Sequence, residues 1–149
     1  DQPEGSGVVA RVGASLARRD GQTALGWLNE LPAGNSQNVG MRVAMREWTG
    51  QDPQSASEYL AEMPESPAKD SAISGFSRRL AWEDPESAIT WAETISSEEQ
   101  RTRTLIEAGR AWSQKDPTNA ANWASRSGLP EEVQQAILNP PERDHDRGN

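Results

Sequence analysis

Three arginines, Arg46, Arg78 and Arg110, stand 32 residues apart in a chain of 149 residues. Arginine suits carboxylate binding because its planar fork of N–H donors matches the two oxygens of the acid. A regular row of such forks could hold the acidic groups of an extended partner. The same regularity fits a plainer role, in which each guanidinium braces its repeat against a nearby carboxylate or helix-end carbonyl. Residues repeated along a stacked array are mostly those that stacking requires. Bracing is therefore the expected role, and recognition the alternative.

Little else in the chain has the spacing of a reaction centre. His145 is the one histidine, and it lies among Arg143, Asp144 and Asp146 in a charged tail, where solvation explains it better than metal ligation. There is no cysteine, no glycine-rich phosphate loop and no nucleophile elbow. Glu62, Glu93, Glu98 and Glu99 read as solvated helix or turn positions. No enzyme activity, metal site or cofactor is expected. The net charge of −8, from 15 basic and 23 acidic residues, disfavours nucleic acid and anionic membranes as partners. No apolar run approaches the roughly 20 residues of a membrane span, so no membrane insertion is expected.

The arginine row belongs to a larger rhythm. Asp84-Pro85-Glu86-Ser87-Ala88-Ile89-Thr90-Trp91 recurs at Asp52 and at Asp116, with a worn copy at Asp20, and the period is 32 throughout. A fixed period of this length is the signature of a solenoid. Asp followed by Pro starts a helix, since the carboxylate accepts from the first-turn N–H groups and Pro there loses no needed donor. Apolar residues then follow at i, i+3, i+4 and i+7, as in Ala88, Trp91, Ala92 and Ile95 or Ala56, Tyr59, Leu60 and Met63, which is one face of a helix. A second helix repeats Met41, Ile73, Leu105 and Ile137, then Ala44, Phe76 and Ala108, then Trp48, Leu80 and Trp112. Its starts read Ser66-Pro67 and Ser97-Glu98-Glu99-Gln100, the latter a capping-box pattern. Each unit is a helical hairpin that needs neighbours to bury its stripe.

The fold class expected is all-α, a right-handed α-solenoid of antiparallel helical hairpins with about nine helices and no strand. One repeat domain spans residues 6–138, between flexible termini at 1–5 and 139–149. Val9, Val12 and Leu16 fall in second-helix register, so the array opens on a half unit, as a segment cut from a longer array would. The repeat aromatics Trp27, Tyr59, Trp91 and Trp123 are expected to be largely buried between hairpins. Opposite the stripe, the first helices present polar positions that include Glu58, Thr90, Glu93 and Asn122, a second set of candidate binding residues if that face forms a groove.

Residues 6 to about 138 resemble tetratricopeptide-type repeats, and more closely the Asp-Pro-x-x-Ala-x-x-Trp repeats of large uncharacterised bacterial proteins. Pro53 to Tyr59, Pro85 to Trp91 and Pro117 to Trp123 keep the proline-to-aromatic spacing of the tetratricopeptide repeat. The period is shorter than that family's, and its small residue in the first helix is replaced by Leu31, Met63 and Ile95. The resemblance implies a non-catalytic scaffold or protein- and peptide-interaction segment of a larger protein; the arginine row and the mildly acidic face of the first helices fit a partner with basic or extended segments. The alternative is a structural spacer in an envelope or secreted protein; a further one is an enzyme whose catalytic residues lie elsewhere in the parent chain.

Overall fold

A computed structural model describes residues 3–139. His145 and the tail from residue 140, expected to be flexible, lie outside the described residues, as do residues 1 and 2. The described chain is nine α-helices with no strand: α1 Pro3–Arg19, α2 Gly21–Asn29, α3 Asn35–Gln51, α4 Pro53–Glu62, α5 Pro67–Leu80, α6 Pro85–Ala92, α7 Glu98–Lys115, α8 Pro117–Arg126 and α9 Glu131–Leu138. Helix α1 begins at Pro3, inside the stretch expected to be a flexible lead-in.

The repeated aspartates perform the role their position implies. Asp20, Asp52, Asp84 and Asp116 accept from the backbone N–H groups of Thr23, Ser55, Ser87 and Asn119 at 3.1–3.2 Å. Such caps stabilise a helix by about 1 kcal/mol each. The far ends of the first helices are held by the second helices. Gln37 Nε2 donates to the carbonyls of Leu28 and Leu31 at 3.1 Å, and Arg101 Nη1 to that of Ile95 at 2.9 Å. Gln37 and Arg101, like Leu31 and Ile95, differ by two periods, so one device is built twice from different residue types. Ser97 caps α7 through the Gln100 N–H, while the Ser96 and Ser97 N–H groups go to the carboxylate of Asp70, a buried residue of α5, at 2.9 and 3.2 Å. That bond ties consecutive units together.

The second helices lie side by side, α1 against α3, α3 against α5, α5 against α7 and α7 against α9. Each first helix from α2 to α8 sits over two of them, α4 for example touching α3 and α5. One core cluster runs from Ala17 to Ala120 along this seam. Leu25, Leu28, Met41, Met45 and Leu60 are wholly buried in it, each large apolar side chain contributing about 1.5–3 kcal/mol by leaving water. Helix α5 is the most enclosed: small residues Ser71, Ala72, Ser74, Gly75 and Ser77 let its neighbours approach closely.

Candidate functional site

The repeat aromatics are largely covered, as expected, without being fully enclosed. Trp27, Tyr59, Trp91 and Trp123 are only partly buried, packed on the rim of the core. Three of them meet an aromatic of the preceding second helix: Tyr59 lies edge-on to Trp48 at 5.6 Å between ring centroids, Trp91 edge-on to Phe76 at 5.7 Å, and Trp123 tilted on Trp112 at 5.9 Å. That contact and the core cover most of each ring, and an edge is left exposed.

What the uncovered rings of Trp91 and Trp123 face is a cleft. Between α6 and α8 it encloses about 340 Å³, floored by Ile89, Trp112 and Trp123 and rimmed by Glu86, Thr90, Glu93, Asn119 and Arg126. Between α4 and α6 a cleft of about 420 Å³ is floored by Phe76, Leu80 and Trp91, with Gln54, Ser57 and Ser87 at its edge. Gln54 and Glu86, Ser57 and Ile89, Leu80 and Trp112, Ser87 and Asn119, Trp91 and Trp123 are each 32 residues apart. The two clefts are therefore one repeated feature, formed because each first helix bridges two second helices and touches its own kind little. Of the expected polar set, Thr90 and Glu93 line a cleft, whereas Glu58 and Asn122 line neither. Glu58 is exposed and accepts from Gln54 Nε2 at 3.3 Å.

The arginine row faces the other way, as its position about 170° from the apolar stripe requires. Arg46, Arg78 and Arg110 border a cleft of about 450 Å³ made by α3, α5 and α7, together with Arg79, Trp82 and Glu107. The row is braced at two of its three positions. Arg78 Nε lies 2.9 Å from Glu107 Oε2 of α7, without a hydrogen bond aligned along its N–H. Arg110 Nε donates to the Ala136 carbonyl of α9 at 2.9 Å. Arg46 is exposed and has no ion pair or hydrogen bond among the described residues. The reason is visible one period before Glu107, where Gly75 stands. A Cβ there would overlap the Arg42 carbonyl oxygen, so no acid can occupy the place that would brace Arg46.

Burial holds the Arg78 guanidinium below its ordinary pKa; Glu107 acts against this, and the charges of Arg42, Arg103 and Arg46 add to it. Arg79 reaches Glu83 at 3.1 Å, and Trp82, half exposed, offers its ring beside them. Arg79 and Trp82 escape a reading built on the period, since neither has an arginine or aromatic counterpart one unit away. The signal was Trp82 itself, which stands off the stripe that Trp48 and Trp112 occupy.

Among the described residues no group of three His, Cys, Asp or Glu is placed to hold a metal ion, and no helix is long and apolar enough to cross a membrane. No protein-family model matches the chain, and neither the curated proteins nor the solved structures give a match.

Proposed function

We propose that this chain is a non-catalytic helical-repeat segment that binds a protein partner, holding an extended stretch of it across the clefts between successive first helices. The observation that carries this reading is the pair of clefts related by the 32-residue period, both floored by partly exposed aromatics. A repeated hollow with an aromatic floor and a polar rim takes one side chain per unit from a partner laid along the array. The packed second helices that carry the clefts step by about 8–10 Å from unit to unit, close to three residues of extended chain at about 3.3 Å each. The partner should then carry apolar residues three apart. Glu86 and Glu93 on the rim favour basic residues between them.

Selection of a displayed random-peptide library against the purified chain tests this. Sequences with apolar residues three apart in a basic context should be enriched. They should be lost with Ser57→Trp or Thr90→Trp, each of which fills one cleft from its rim. No enrichment, or enrichment that survives both substitutions, refutes the proposal and leaves a structural spacer as the reading.

A further inference from the structure

The face of the second-helix layer opposite those clefts carries a separate site, argued independently of the function proposed above. Four guanidinia, from Arg46, Arg78, Arg79 and Arg110, border one cleft in which Glu107 is the only carboxylate among the described residues that line it. The chain as a whole has net charge −8, so positive charge is concentrated here against the background. Like charges held close together destabilise a fold unless something else engages them. Internal bracing engages only part of what is present. Arg78 and Arg110 are both held through Nε, and their terminal Nη groups make no hydrogen bond among the described residues. Those terminal groups form the fork that grips a carboxylate. The brace fixes the stem and leaves the fork, which lowers the entropy lost on binding.

We propose that this cleft binds an acidic polypeptide segment, with successive carboxylates gripped along Arg46, Arg78 and Arg110 and an apolar side chain laid on Trp82. The spacing decides between a polypeptide and a single small anion. The row comes from three successive helices, whose axes stand about 8–10 Å apart, and Arg78 and Arg110 are tied through Nε to different partners on different helices, so the forks are laid out in series rather than gathered on one phosphate. It does match carboxylates every third residue of an extended chain, at about 3.3 Å per residue. Trp82 gives the site an apolar surface that a free anion would not use: its residue is 50% exposed, while its backbone carbonyl is fixed by Lys115 Nζ at 2.8 Å.

The probe is a fluorescently labelled synthetic peptide with glutamate at every third position and one leucine, followed by anisotropy. It should bind, and the same peptide with glutamine should not. Raising salt should weaken it, because exposed charge pairs are screened. Arg46→Glu should weaken binding at least about tenfold, or about 1.4 kcal/mol, with unchanged melting temperature because its side chain is exposed, and Trp82→Ala severalfold in protein that circular dichroism shows is still folded. Thr90→Trp should leave this binding intact, which separates it from the first-helix clefts. Equal binding of the glutamine peptide, indifference to Arg46→Glu, equal binding of a peptide with its glutamates adjacent, or displacement by inorganic phosphate at the peptide's own concentration would each overturn the assignment.

Discussion

Gly75→Ala is the sharpest test of how the array is held together. An added methyl group would overlap the Arg42 carbonyl oxygen and stand 3.0 and 3.2 Å from the Arg42 carbonyl carbon and Cα. All three atoms are backbone, so no rotamer change relieves the contact and α5 must move off α3. Alanine in a helix interior gains about 0.8–1.0 kcal/mol over glycine, while overpacking a tight seam costs about 1–3 kcal/mol. Moving α5 also strains the buried Ser74–Thr104 hydroxyl bond of 3.0 Å and the wholly buried Ser77. The net expected loss is about 1–2 kcal/mol, or about 3–8 °C in melting temperature for a chain of this size. The control is Gly50→Ala near the end of α3, where the nearest atom is Arg79 Nε at 3.1 Å, the end of a flexible and partly exposed side chain. There the helix-propensity gain should survive, at up to about 1 kcal/mol. Urea unfolding followed by far-ultraviolet circular dichroism reads both. Two stabilising substitutions of equal size would refute a backbone-to-backbone contact between α3 and α5.

Two further outcomes follow from the same geometry. Trp91→Ala should cost about 2–3 kcal/mol, at or below the low end of the range for emptying a large aromatic site, because Trp91 is only partly buried; denaturant unfolding showing more than about 4 kcal/mol would mean its ring is enclosed. Asp52 is held below the ordinary aspartate pKa by the Ser55 hydroxyl and then the Ser55 N–H; a depressed folded-state pKa adds stability above the unfolded value that is lost as pH falls through the folded one, so wild type should weaken below the ordinary aspartate range more steeply than Asp52→Asn, and parallel acid limbs in the two unfolding curves would contradict it.

Helix count, helix starts and most of the core were legible because they depend on local and periodic signals. An Asp-Pro pair caps a helix wherever it occurs, and Ala56, Ala88 and Ala120 are each fully buried because the stack repeats. Less legible was the degree of burial of the aromatics, which depends on the lateral spacing of the first helices rather than on their own pattern. Tyr59 and Trp91 look like core by periodicity, yet each ring is shared between an aromatic neighbour and an open edge. The arginine row was legible as a row, but its division into braced and free members was not. That division turns on Glu107 standing in one unit and Gly75 in the unit before, and only the closeness of α3 and α5 explains why Gly75 must be glycine.

Departures from the period separate by whether the fold accounts for them. Gly21 replaces the proline of the other units, and the Trp48 ring lies where its Cβ would be, so packing explains it. Gly75 is explained by the Arg42 backbone in the same way. Arg79 and Trp82 are different. Arg79 adds a cation to a region where Arg46, Arg42 and Arg103 already oppose the charge of Arg78. Trp82 exposes half its surface at a register where the neighbouring units carry Gly50 and Gln114. Only the covered half of that surface adds to the hydrophobic gain. The fold engages Arg79 through the i,i+4 ion pair to Glu83, worth only a few tenths of a kcal/mol by the usual measure, and gives no reason for the exposed Trp82 ring; both border a cleft in which guanidinium forks are left open. Packing leaves no room beside Gly21 and Gly75, whereas half of Trp82 is open to solvent next to the arginine row, where a partner can sit.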